Sequence, residues 1–182
     1  LGTQVDTLVY GSGPGAPVFH NTRVGEIWGE RFDTFDTMYA YRAAENIRSL
    51  IKRGIDPLNL LVDRAHEKGM EFFASLRLGG YGGMNPEHSV ANGGRGFLHP
   101  EVRDHQYAQL VELATRYAVD GVELDFAAAP GGDTFCLAPE DAPQEASVLT
   151  DFVRDVAAMA RQRPGSAGAN SRRTFGTGHR IQ

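Results

Sequence analysis

The stretch VDGVELDF, residues 119–126, is the most informative part of the sequence for the fold. It is short and carries β-branched and aromatic side chains, which favour strands. Side chains alternate along a strand, so Val122 and Leu124 are expected on one face. Glu123 and Asp125 are then expected on the opposite face. The pattern predicts a strand with an apolar face under helices and an acidic face that ends at Asp125.

The rest of the chain alternates apolar, strand-like runs with helical patterns. Two further strands are predicted at Val5–Gly11 and Met70–Leu78. Apolar spacings of three and four residues predict helices at Tyr41–Arg53, Asp56–Lys68, Pro100–Tyr117 and Glu145–Arg161. Strands separated by helices imply parallel pairing, so the expected class is α/β.

The glycine-rich loops all lie after the predicted strands. They span residues 12–30, 79–96 and 127–143, whereas the connections from helices to strands are short. In α/β proteins, functional sites lie at the carboxyl ends of the strands, where such loops begin. The predicted site is therefore at that edge of the sheet.

Composition narrows the function classes further. The chain has 182 residues, 41% of them hydrophobic and 23% charged, with a net charge of −5. These values fit a globular protein, and no apolar run is long enough for a transmembrane helix. Cys136 is the single cysteine, and no HxH or HExxH motif is present, so no metal or other cofactor is expected. The acidic balance also argues against a nucleic acid or membrane partner.

The charge is distributed unevenly along the chain. Residues 161–182 contain five arginines and no acid, so residues 1–160 carry −10. We interpret 1–160 as one domain and 161–182 as a basic tail without apolar periodicity. A disordered extension, an aberrant end in place of the natural continuation, and a nucleic-acid-binding tail are the three interpretations of this segment.

Two carboxylates on the third strand are the candidate catalytic residues. Asp125 lies at the strand tip, where barrel enzymes place catalytic groups, and Glu123 shares its face. Arg77 lies near the tip of the second strand, where it would pair with Asp125 if the strands are neighbours and is expected to contact the substrate. The alternative is an ion pair with a structural role only.

Aromatic and polar side chains of the loop regions are the candidate carbohydrate contacts. Trp28 suits stacking on the apolar face of a sugar, although it could equally plug the space under the first loop. Tyr10, His20 and Tyr81 are the other expected contacts. The run GSGPG lacks the GxGxxG spacing of a nucleotide loop, and no GxSxG elbow is present.

Two runs of the sequence resemble a known group of proteins. DPLNLLVDRAHEKGMEFFASLRL and HPEVRDHQYAQLVELATRYAVDGVELDF look like successive units of the glycosyl-hydrolase-like TIM-barrel family. The resemblance covers roughly residues 5–160 and implies a partial (β/α)₈ barrel with about three parallel strands. It also implies glycoside hydrolysis, with Asp125 at the position of a strand-tip carboxylate that is often the nucleophile.

Two features qualify what the resemblance implies. Three strands and 182 residues fall short of a complete barrel, so we expect the N-terminal part of one, with the partner acid or base on a later strand. Ala128 also stands where such proteins commonly carry an arginine. The competing hypothesis is a non-catalytic carbohydrate-binding or structural barrel module, and a barrel enzyme acting on a small metabolite is a third.

Overall fold

The computed structural model describes residues 4–13, 17–78, 96–126 and 142–162. Their elements follow the order of an α/β protein. The strands are β1 (Thr7–Gly13), β2 (Pro17–Val18), β3 (Glu26–Ile27), β4 (Glu71–Arg77) and β5 (Gly121–Asp125). The helices are α1 (Met38–Lys52), α2 (Pro57–Glu67), α3 (Pro100–Arg116) and α4 (Ala142–Arg161).

The main sheet has three parallel strands in the order β1-β4-β5. In its register Tyr10 lies beside Ala74, and Ala74 lies beside Val122. The α/β class with about three parallel strands is therefore confirmed. The strands correspond to the three predicted from the sequence, with ends shifted by one or two residues.

Residues at the helix ends account for the boundaries of the first two helices. The Asp56 carboxylate accepts the Leu58 amide at 3.0 Å, which caps α2 as predicted. Gly54 and Gly69 follow α1 and α2 with φ of +75° and +72°, a conformation that glycine adopts without strain. α1 begins three residues before its predicted start, because Thr37 caps it by accepting the Ala40 amide.

The hydrophobic core lies between the sheet and the helices. One face of the sheet contributes Phe72, Ala74 and Leu76 from β4, which are fully buried, with Val122 and Leu124 from β5. These side chains pack on apolar residues of α2, α3 and α4. Covering one sheet face with three helices leaves the strand residues of opposite parity on the other face.

The segment after β1 has more structure than its sequence indicated. β2 and β3 form a two-stranded parallel sheet, in which Pro17 pairs with Glu26. The Phe19 amide also donates to the Ser12 carbonyl at 2.8 Å, which ties this segment back to the end of β1. Such two-residue strands have no detectable period in sequence. In the described ranges, no helix combines the length and apolar character needed to span a bilayer.

Candidate functional site

The carboxyl ends of β4 and β5 bring together the two residues paired in the sequence hypothesis. Arg77 lies opposite Asp125 in the parallel register. Its Nε donates to the Asp125 Oδ2 at 3.0 Å, and both side chains are partly accessible, at 38% and 25%. The Leu78 amide donates to the Asp125 carbonyl at 2.8 Å, which extends the ladder past the ion pair and fixes the strand tip.

We call the sheet face opposite the helices the open face. It carries alternate residues of the three strands: Thr7, Val9, Gly11, Glu71, Phe73, Ser75, Arg77, Gly121, Glu123 and Asp125. Val9 is 49% exposed, which shows that solvent reaches this face beside β4. On β5 the acidic side chains Glu123 and Asp125 lie in the half of the face next to the carboxyl ends of the strands, which we call its upper half.

Glu123 has different surroundings from Asp125. It lies one step below the ion pair, beside Ser75 in the register, and is partly buried. Its carboxylate makes no hydrogen bond or ion pair with the described residues. Two carboxylates on one face, about 6.5–7 Å apart at Cα, thus differ in their pairing: one is held by a guanidinium and the other is not.

An aromatic side chain covers the middle of the open face. Phe73 lies across Gly121, where an added Cβ would come within 2.3 Å of the Phe73 ring. Glycine at this position is what allows the ring to lie against β5. The middle of the face around Gly121 is therefore apolar, and its end at the strand tips is charged.

The end of β1 lies next to these charged residues and contributes its backbone and the Ser12 hydroxyl to this edge of the sheet. The register shifts between Gly11 and Gly13, which is typical of a β-bulge. Ser12 is buried there and its hydroxyl donates to the Ser75 carbonyl at 2.8 Å. The bulge thus binds the tip of β1 to β4 directly beside Glu123 and Arg77.

Two predicted substrate contacts lie on the helix-covered side of the sheet. Tyr10 lies within β1, inside the strand predicted at Val5–Gly11, and its ring packs 6.0 Å from Phe72. Burial raises the pKa of its hydroxyl, and Tyr39 adds to this effect. His20 is 2% exposed and packs edge-on against Tyr117 at 5.3 Å. Contact of either side chain with a substrate stays a prediction.

Trp28 belongs to a row of aromatic rings. Its indole packs edge-on against Phe19 at 5.6 Å and Phe32 at 5.0 Å. The indole Nε1 is buried and has no hydrogen-bond partner. These contacts match the alternative in which Trp28 fills the space under the first loop. Stacking on a sugar stays a prediction.

The carboxylate of Glu112 on α3, a residue that the sequence did not single out, accepts several hydrogen bonds. It accepts the Thr22 hydroxyl at 2.5 Å, the Arg23 amide at 2.7 Å and Arg116 Nη1 at 2.8 Å. Burial alone would raise the pKa of Glu112, but these bonds and His20 lower it to about 2. The cluster fastens the segment after β1 to α3.

Asp56 and Tyr117 extend this cluster to α2. The Tyr117 hydroxyl donates to Asp56 Oδ2 at 2.8 Å, and Arg116 lies 3.9 Å from the same oxygen. Burial and the Asp56 contact raise the pKa of Tyr117. Most partners in this cluster lie 61 to 96 positions apart in sequence, so no local motif announces it. We assign it a structural role.

Several residues from the sequence hypotheses lie outside the described ranges. They are Tyr81, Ala128, Cys136 and the segment from 163 to 182 of the basic tail. Within the described ranges, no three His, Cys, Asp or Glu side chains are grouped so that they could hold a metal ion.

Comparisons with known proteins give weak structural similarity and no similarity in sequence families. No family model matches the chain, and no curated protein matches it. Among solved structures the chain is similar to α-L-fucosidase isoenzyme 2 from Paenibacillus thiaminolyticus, with a TM-score of 0.46 and 14% identity. The match covers 85% of this chain and 24% of that structure, so this chain spans about a quarter of its length.

Proposed function

We propose that the carboxyl ends of β4 and β5 form part of a glycoside hydrolase site in which Asp125 is the nucleophile or the charge stabiliser. The observation that carries this proposal is the Arg77–Asp125 ion pair, at 3.0 Å, on the open face at the strand tips. The resemblance of these two β/α units to glycosyl-hydrolase-like barrels supplies the reaction class.

The chemistry requires two carboxyl groups with different tasks. In a retaining reaction Asp125 forms a bond to the anomeric carbon while the bond to the leaving oxygen breaks, and that oxygen takes a proton from the second carboxyl group. Water then attacks the anomeric carbon, gives its proton back to the second group and releases Asp125. In the charge-stabiliser variant, Asp125 faces the positive charge that develops on the sugar.

Arg77 fits the task of orienting Asp125. The Arg77 Nε–H donates to Asp125 Oδ2, which holds the carboxylate in one orientation, and the carboxylate stays partly exposed at the strand tip. Glu123 is the second carboxylate on the described part of the open face. Two acids on one strand have difficulty flanking a sugar from both sides, so we place the proton donor on another element, with Glu123 contacting the same sugar.

A non-catalytic carbohydrate-binding module is the second candidate. Ala128 favours it, because an arginine is expected at that position in the resembling enzymes. In this alternative the same strand tips bind a sugar and no bond is cleaved. Both candidates therefore predict sugar binding at Asp125 and differ in turnover.

The experiment is a panel of aryl glycosides, scored for both binding and release of the aryl group. We expect Asp125→Asn to lower any turnover by at least about 100-fold, because it removes the charged oxygen that the reaction uses. Asp63→Asn, on the exposed side of α2, is the matched control and should leave turnover unchanged. Binding without turnover would support the module. Full turnover in Asp125→Asn, or neither binding nor turnover in the wild type, would refute the proposed hydrolase.

A further inference from the structure

Glu123 is the charged group in the upper half of the open face whose carboxylate no side chain of the described ranges neutralises. The charges at the upper half of the face are Arg77, Asp125 and Glu123. Arg77 is engaged by Asp125 at 3.0 Å, whereas no described residue donates a hydrogen bond or forms an ion pair with Glu123. The described part of the site therefore carries an excess negative charge at a known position.

Glu123 lies on the open face between an aromatic ring and the Arg77–Asp125 ion pair. Ser75 lies beside it in the register and is 7% exposed, and Phe73 lies below it on the same face. The Glu123 carboxylate is thus a partly buried acceptor on the open face, two residues from Asp125 along β5. Such a group accepts donors strongly and disfavours a second anion beside it.

We propose that Glu123 makes this site select sugars with a protonated amino group over neutral sugars, and neutral sugars over uronic acids. The inference rests on the proposed function, because it assigns a substrate class to the same site. An ammonium group donates three hydrogen bonds and brings a compensating charge, whereas a uronate would compete with Asp125 for Arg77 and be repelled by Glu123.

The test compares three methyl glycosides of one sugar that differ in charge: the glucosaminide, the glucoside and the glucuronide. Dissociation constants for the 182-residue chain are measured by ligand-observed NMR at low salt and about pH 6, where amines are protonated and carboxylates ionised. We expect each step in the order glucosaminide, glucoside, glucuronide to weaken binding by about threefold, as for a partly exposed charge pair. Added salt should reduce the differences between the three dissociation constants, because it screens the charges.

Variants of the chain show whether Glu123 causes the order in which the three glycosides bind. Glu123→Gln keeps the shape of the side chain and removes its charge, so the three dissociation constants should come to within about twofold of one another. Glu123→Asp keeps the charge and should preserve the order of the three glycosides. Glu71→Gln is the matched control, because Glu71 shares the face but lies exposed at the opposite end of β4, about 13 Å below the level of Ser75. It should leave the series unchanged.

The possible outcomes separate this inference from the proposed function. Equal binding of the three glycosides overturns the inference and leaves the sugar site standing. Tightest binding of the glucuronide also overturns it and would make Arg77 an anion-recognising residue. Binding of none of the three overturns the sugar site itself, and the inference with it. The same order in Glu123→Gln as in the wild type removes Glu123 as its cause.

Discussion

Replacing Glu112 by glutamine tests the buried cluster that fastens the segment after β1 to α3. The substitution keeps the size of the side chain and removes its charge. The amide oxygen can still accept hydrogen bonds, but the NH₂ group would face either the Thr22 hydroxyl at the Oε2 position or the Arg23 and Arg116 donors at the Oε1 position. The cluster would then hold donors without acceptors in a site that is 6% exposed.

The pKa of Glu112 sets the size of the effect. Its value falls from 4.5 to about 2 in the folded protein, and each pKa unit corresponds to about 1.4 kcal/mol. The ionised form therefore stabilises the fold by at most about 3 kcal/mol at neutral pH. Because the folded pKa lies below the unfolded one, this stabilisation is complete above about pH 5 and is lost as the pH falls towards 2.

Urea unfolding followed by far-UV circular dichroism measures the difference. We expect Glu112→Gln to lower the free energy of unfolding by about 2–3 kcal/mol at pH 7. The difference in unfolding free energy between the wild type and Glu112→Gln should decrease as the pH falls from 4.5 towards 2, since only the wild type loses this contribution. Glu101→Gln, on an exposed position of the same helix, should change stability by less than about 0.5 kcal/mol. A gap below that value at pH 7, or one independent of pH, would refute the role assigned to Glu112.

Three other substitutions give sharp expectations in the same assay. Asp56→Ala removes the α2 cap and the acceptor of the Tyr117 hydroxyl, and should cost about 2 kcal/mol; a change below about 0.5 kcal/mol would contradict the cap. Gln106→Leu should stabilise by about 1 kcal/mol, because both polar atoms of this fully buried amide lack partners, and destabilisation would show that they have one. Gly121→Ala should destabilise by about 1–3 kcal/mol through its clash with the Phe73 ring, and unchanged stability would show that the ring moves freely.

Much of the sheet could be predicted because its signals are local. The alternation around Glu123 and Asp125 gives β5 and its two faces, and Asp56 with Pro57 marks the start of α2. The pairing of Arg77 with Asp125 also followed, since both residues lie at the tips of strands that parallel topology brings together. These are the features that a short window of sequence determines.

The remaining features depend on contacts between distant parts of the chain. His20 in sequence is a polar residue in a loop, and only the approach of α3, some 90 positions later, makes it a buried neighbour of Glu112. For Tyr10 the strand could be predicted, but the continuation of β1 to Gly13 through a bulge and the position of the ring beside Phe72 could not. Sequence spacing alone contains neither the bulge nor the helix packing.

The location of the sugar site is the central claim, and amide chemical-shift mapping tests it most directly. A ¹⁵N-labelled 182-residue chain is titrated with a methyl glycoside, first as the wild type and then as Asp125→Asn. We predict that the amides that shift cluster at residues 75–78 and 123–126, around the Arg77–Asp125 pair, and that the shifts weaken in the variant. Shifts confined to residues 19–35 around Trp28, or no saturable shifts at all, would contradict a site at the carboxyl ends of β4 and β5.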